Sequence, residues 1–351
     1  MTSLPRLVSR GNALLVAFSF LSAPSTGSCE PTRPEPRVAE NPSDEAELAK
    51  VFSFLALSRQ KGDDEVVRQT AKMLLDATVG MPPKSRLRAQ CLHEVAFDYQ
   101  YLGKLDEAEA HFHRAVEAKR EAFGKRDPST ANTLNSLGEL YRWKGEPAKA
   151  IPWLREARDI LLPGADAARP TDILGLTYVD MGELETGEKF HRRALKLRLS
   201  VRPPAPEGLI KSWQHLGIVC TMRGKLREAS GFYEKALAAA EKRAGVQSLL
   251  AAGLRAGLAN VYWMRGERTK SEKMLAAAAA VLEETQERGL ELAGLLEDVG
   301  AAFIVRSDYE RAEPYYEKSF AIKKKHLGVH AQRKCPGLTA QRKCLPPVSR
   351  P

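Results

Sequence analysis

The 351-residue chain holds seven histidines and five cysteines, the side chains best suited to ligate a metal or attack an electrophile. Their spacing argues against both. His111 and His113, in AHFHRA, are two residues apart, so on a helix they face different directions and read as surface histidines. His326, His330, Cys335 and Cys344 offer donors as H-x3-H-x4-C-x8-C, a spacing that fits no zinc finger. Cys91 and Cys220 fall in separate helical segments, so the cysteines form no disulfide framework, and Cys220 reads as a small buried hydrophobe. Phosphate-binding glycine loops, HExxH, GxSxG and EF-hand patterns are missing from the sequence. The expectation is a chain with no catalytic residues, no metal and no cofactor, hence not an enzyme.

The elements that would position any functional side chain come from a repeat. In ANTLNSLGELYRWKGEPAKAIPWLREARD (131–159), Leu134, Leu137, Gly138 and Tyr141 stand at i, i+3, i+4 and i+7, one face of a helix. Gly145 ends it, and Ala150, Leu154 and Ala157 mark a second helical face. Aligned on the turn residue, the copies centre on Gly103, Gly145, Gly182, Gly224, Gly266 and Ser307, at steps of 42, 37, 42, 42 and 41 residues. Seven residues before each turn stands a small residue: Ala96, Gly138, Gly175, Gly217, Ala259 or Gly300. Four before it stand Tyr99, Tyr141, Tyr178, Cys220, Tyr262 and Phe303. Small residues return five and twelve after it, as at Ala150 and Ala157. Small columns let two helix axes approach, and the aromatic fills the gap one turn away. One hairpin cannot bury both faces, so the copies must stack. Gly62 suggests a degenerate further copy over 44–80.

These columns resemble the tetratricopeptide (TPR) family in its longer, kinesin-light-chain-like form, on LNSLGELYRWKGEPAKAIPWLREA, YERAEPYYEKSFAIKKKHLG and the linker FGKRDPSTANT. The resemblance implies an all-α fold, a right-handed α-solenoid of antiparallel helix hairpins (the TPR superhelix), over 44–328. The third copy departs from it. LLPGADAARPTD replaces the usual lead-in, so its first helix is expected to be clipped.

By the same resemblance, the free face of each first helix lines a concave groove that receives an extended peptide or a partner's helix. Column by column this gives His93, Phe97 and Tyr101, then Asn135, Glu139, Arg142 and Trp143. The fourth copy gives Lys211, Gln214 and Ile218, and the fifth gives Asn260, Trp263 and Met264. His93 and Asn135 stand where chaperone-cofactor TPRs place carboxylate-clamping lysines, so chaperone-tail binding is not expected. The function expected is a non-enzymatic protein-interaction scaffold with a protein or peptide partner.

The ends of the chain differ from its body. Arg6 and Arg10 precede an apolar run from Ala13 to Leu21, too short to span a bilayer, and small residues follow, so 1–29 reads as an export signal. Cys29 after Thr26-Gly27-Ser28 is a lipidation candidate of the bacterial lipoprotein kind, although Thr26 stands where that signal has an apolar residue. Residues 30–43 carry four prolines and read as an extended tether. The localisation this implies is periplasmic or cell-envelope associated, with a membrane tether at the N-terminus; the alternative is cytoplasmic. Residues 329–351 are a basic tail, expected to be disordered, in which AQRKC occurs twice. From Lys318 onward there are nine basic residues and no acid; removing them from 54 leaves 45 against 44 acidic residues. A net charge of +10 of this origin therefore does not argue for a nucleic-acid-binding face on the solenoid. An alternative function is nucleic-acid or anionic-membrane binding through the tail, with the solenoid as spacer.

Overall fold

Every residue on which the copies align turns a hairpin. Gly62, Gly103, Gly145, Gly182, Gly224 and Gly266 have φ between 72° and 80°, and Ser307 has φ 59°. At the first of the strong copies Gly103 N–H donates to Gln100 O at 3.1 Å and Lys104 N–H to Tyr99 O at 2.9 Å. The same pair of bonds recurs at Gly145, Gly182, Gly224, Gly266 and Ser307, satisfying helix-end carbonyls through a left-handed cap.

The computed structural model describes residues 42–285 and 290–327, which are helices and the turns between them. In order these are α1 (Pro42–Lys61), α2 (Asp64–Val79), α3 (Arg86–Tyr101), α4 (Leu105–Ala122), α5 (Pro128–Trp143), α6 (Pro147–Leu161) and α7 (Ala168–Asp180). Then come α8 (Leu184–Leu199), α9 (Pro206–Met222), α10 (Leu226–Ala244), α11 (Leu249–Met264), α12 (Arg268–Glu284), α13 (Leu290–Val305) and α14 (Tyr309–Leu327). The pairs α1–α2, α3–α4, α7–α8, α9–α10, α11–α12 and α13–α14 pack as hairpins, which makes this an all-α, helix-hairpin repeat architecture. In the third copy a 3-10 turn, Ala165–Ala167, leads into α7, and α7 spans 13 residues where α5 spans 16. The shorter step is divided between two helices, since α6 spans 15 residues where α4 spans 18 and α7 is three residues shorter than α5. The proposed export signal, Cys29, most of the 30–43 tether and the 329–351 tail lie outside the described residues. So do His330, Cys335 and Cys344.

Contacts divide the chain into two compact units, one up to Leu140 and one from Tyr141 onward. The division falls inside α5, a place the unbroken repeat pattern does not announce. In the first unit Leu55 of α1, Leu74 of α2 and Cys91 and Val95 of α3 share one core, with Tyr99 packed at its edge. Ala89 and Leu92 of α3 meet Ala115 and Ala118 of α4 in a second. In the second unit Ile210, Cys220, Ala229, Tyr233, Ala236, Leu254 and Val261 join α9, α10 and α11. Leu275, Ala278, Val299, Phe303 and Ala312 join α12 to the last hairpin.

The small columns are buried because they must be. A methyl group on Gly217 would lie 2.7 Å from the Tyr233 ring, and one on Gly257 would lie 2.6 Å from it, so the ring is clamped between two bare backbones. Gly300 likewise takes the Tyr316 ring at 2.9 Å and Gly175 the His191 ring at 2.7 Å. In the aromatic column Tyr141, Tyr178 and Phe303 are buried, while Tyr99 and Tyr262 are half-buried. Cys220 takes the fourth aromatic position and is fully buried. Burial pushes the Cys91 thiol up to about 12 and the Cys220 thiol to about 11, which makes both inert packing groups.

Candidate functional site

The groove columns lie on the helix face beside the packing columns, two, three, six, ten and thirteen residues before each turn. In the first unit, His93 Nδ1 lies 3.1 Å from Thr133 Oγ1, and its ring meets Phe112 edge-on at 5.9 Å. His93 lines a cleft of about 440 Å³ with Glu94, Lys119, Ser129, Asn132 and Thr133. Lys119 is buried there, donating to Ser129 Oγ at 2.8 Å and lying 4.6 Å over the Phe123 ring. Desolvation lowers its pKa to about 8, against the pull of Asp127 and Glu94. Phe97 is exposed beneath the Arg59 guanidinium, which sits 4.7 Å from its ring. Tyr101 Oη donates to Arg59 O at 2.9 Å, so its hydroxyl ties two hairpins together. Asn135 differs from the other groove positions: it is fully buried, and neither its Oδ1 nor its Nδ2 has a partner. Glu139 is half-buried.

In the second unit Trp143 is 49% exposed, and Arg142 Nε donates to Asp180 Oδ2 at 2.7 Å. Lys211 is exposed and pairs with Glu207 at 3.3 Å, Gln214 is half-buried, and Ile218 is exposed. Met264 is 51% exposed. Trp263 is held rather than free: the Arg268 guanidinium lies 3.4 Å from its ring and the Arg306 guanidinium 4.9 Å. Arg306 also donates to Asn260 Oδ1 at 3.2 Å, to Ala259 O at 3.0 Å and to Ser271 Oγ. Asn260 and Trp263 are therefore engaged in joining the fifth hairpin to the sixth. Beside them, the alanines of α12 leave a cleft of about 650 Å³, floored by Ala276, Ala279 and Ala280 and edged by Trp263, Glu272 and Arg311.

His111 is not the free surface histidine that its spacing suggests. It is half-buried, its ring stacks on Tyr99 at 4.8 Å, and burial lowers its pKa.

Two polar features went unread in the sequence. Lys119 is one of them, since nothing in its own segment marks it as buried. The other is a cluster in the second unit. His191 occupies the position nine residues after the turn, where the other copies hold Phe112, Leu154, Tyr233, Leu275 and Tyr316. The ring is fully buried, and its Nδ1 lies 2.6 Å from Asp172 Oδ1. Asp172 Oδ2 accepts from Arg198 at 2.9 Å and lies 3.0 Å from His215 Nδ1. Burial alone would raise the Asp172 carboxyl. Hydrogen bonds from His191 and His215, with the charge of Arg198, instead hold it well below the usual carboxylate range. Burial also keeps His191 low and neutral, despite its bond to Asp172. The signal was a polar residue in an otherwise apolar column. It is visible only once the third copy, with its short step, is placed in register.

Comparison with known proteins follows the same geometry. The sequence profile of the family "Tetratricopeptide repeat" matches residues 87–162 and 166–242. No curated protein matches the chain by sequence. Among solved structures, the apo form of RapI aligns with a TM-score of 0.58 at 15% identity, covering 78% of this chain and 98% of that one. A Rap protein complexed with competence and sporulation factor aligns with a TM-score of 0.53 at 17% identity, covering 83% and 89%. A putative kinesin light chain of Podosopora anserina, with nearly identical TPR-like repeats, is 20% identical over 58% of this chain and 98% of that one, with a TM-score of 0.48. At these identities the first two structures speak for the fold alone. Solenoids of this kind are a non-catalytic scaffold class, and among the described residues no helix is long and apolar enough to cross a membrane. The repeat columns, the recurring left-handed caps and the profile match converge on the stretches 87–162 and 166–242, which match the tetratricopeptide-repeat family.

Proposed function

We propose that the chain is a non-enzymatic scaffold that holds a peptide or helix of a partner protein against the groove columns of its first helices. One observation carries this reading. Of the large apolar side chains left exposed, Phe97 and Ile218 stand six residues before the turn, and Trp143, Met222, Met264 and Val305 stand two before it. Solvent exposure of apolar groups is ordinary when scattered, but recurrence in two register columns of one helix face is not. Methionine and tryptophan there offer adaptable apolar contact, and the amides and charges around them offer hydrogen bonds to a partner's backbone. The Rap protein that shares the fold was solved with a bound factor, which supports a ligand-holding use of such an array. The buried Lys119 fits as well: an ammonium desolvated at its own expense, beside an open cleft, is available to an anionic group of the partner.

Replacing Trp143 and Met264 together by alanine tests it. The pair should remove capture of the partner from cells of the source organism while the far-UV CD melt stays nearly unchanged; unchanged capture contradicts the reading. The finer assignments rest on sequence. The repeat steps near 42 residues and the linker FGKRDPSTANT support the kinesin-light-chain-like subclass. The basic start, apolar run and small residues before Cys29 support an exported chain tethered at its N-terminus. Finding Met1 on protein purified from its native host would remove the export claim.

A further inference from the structure

We propose that Asp172 of α7, His191 of α8 and His215 of α9 form a binding site for a divalent transition metal ion of the zinc class. Asp172 stands in the groove column ten residues before Gly182, but the proposal uses none of the groove residues named above and stands or falls without that reading. Two imidazoles and one carboxylate are a donor set for borderline ions, whereas calcium and magnesium ask for oxygen alone. One donor atom from each residue lies within 4.8 Å of the other two, and the two imidazole rings are 5.3 Å apart. His191 Nδ1 and His215 Nδ1 each already meet one oxygen of Asp172, at 2.6 and 3.0 Å. An ion in place of those two shared protons would need its donors about 3.3 Å apart, from bonds of about 2.0–2.1 Å in tetrahedral geometry. His215 can supply that movement, because its side chain is 21% exposed while those of His191 and Asp172 are enclosed. The same exposure gives the ion an entry path from solvent.

Two observations separate this cluster from an ordinary buried ion pair. The last hairpin has the same pairing in the same columns without histidine: Lys323 Nζ lies 2.6 Å from Glu297 Oε2, as Arg198 lies against Asp172. The carboxylate–cation staple is thus sufficient for packing, and the two imidazoles are additional to it. The second observation is His191 Nε2, buried without a hydrogen-bond partner. Moving the ring proton from Nδ1 to Nε2, which frees Nδ1 to ligate, therefore breaks no bond at Nε2. Arg198 is the competitor, since its charge repels a cation; it also donates to Ser212 Oγ and can keep that bond when Asp172 turns to the metal. The other cluster of ligand types, Glu188, Cys220 and Glu228, fails on the same criterion. Glu188 is saturated by Arg192, Arg223 and Lys225, and the Cys220 thiol is buried and protonated.

The test is cobalt(II) titration of the full chain, prepared without a histidine tag and stripped with a chelator. One equivalent should give the visible d–d bands of a low-coordinate cobalt site, and zinc should bleach them. His215→Ala should weaken binding by about tenfold or more, with the far-UV CD spectrum retained. His215→Gln serves the same purpose if the alanine variant does not fold. A Cys335→Ser, Cys344→Ser chain should bind as the parent does. Absence of the bands, bands unchanged in the His215 variant, or bands lost only with the tail cysteines would each overturn the proposal.

Discussion

At Lys119 the folded state holds an ammonium out of water with Ser129 Oγ and the face of Phe123 as its neighbours. Lys119→Met should therefore stabilise the first unit at pH 7, by about 1–3 kcal/mol, because an apolar side chain of similar length removes the desolvation cost. The sign with pH follows from linkage. The folded pKa, about 8, lies below the model-compound value of 10.5, so between those values the folded state binds fewer protons than the unfolded one. On this account wild-type stability rises from pH 8 to pH 10.5, and the advantage of the methionine variant shrinks over that window. Urea denaturation at pH 7 and pH 10 measures both; an advantage that grows with pH would contradict the burial account. Glycines supply a second residue-scale test. Gly217→Ala and Gly257→Ala should each cost about 1–3 kcal/mol, because both press a methyl group into the clamped Tyr233 ring. Gly231→Ala, with nothing within 4 Å, should instead stabilise α10 by about 0.5–1 kcal/mol. Thermal melts of the three variants check the ordering.

At the scale of the hairpin, register explains most of what was legible. A residue type at a fixed offset from the turn predicts burial because every hairpin repeats the same close approach, so Ala96, Gly138, Gly217 and Ala259 could be placed in the core from sequence. Ser307 is the most telling member of that set, a non-glycine aligned at the turn purely by its neighbours, and it adopts φ 59°. Ser307→Gly should accordingly stabilise the last hairpin by about 0.5–1 kcal/mol, since the left-handed region is costly for serine and free for glycine. A melt lowered by this change would show that the serine hydroxyl matters more than its backbone. What register could not give was pairing between columns. His191, Asp172 and His215 are 19 and 24 residues apart in adjoining pairs, and only the stacking of α7, α8 and α9 brings them together. Likewise Asn135 sits in a groove column yet is enclosed, and Trp263 is gripped by two guanidinium groups. Offsets define which way a side chain leaves its helix; long neighbouring side chains decide how much of it remains exposed.

At the scale of the molecule, hairpins share interiors with their neighbours, so the repeats gain stability from stacking and leave apolar side chains exposed on one face of the first helices. The two units each have cores of their own, and the apolar side chains exposed at recurring columns are the surface the account assigns to a partner. The most direct measurement is site-specific photo-crosslinking in cells of the source organism. A photoreactive side chain placed at Met222 or Met264 should join the chain to another protein, while one at Lys235, exposed on the second helix of a hairpin, should not. Equal crosslinking from all three positions, or crosslinking from Lys235 alone, would contradict the assignment of the partner to the first-helix face.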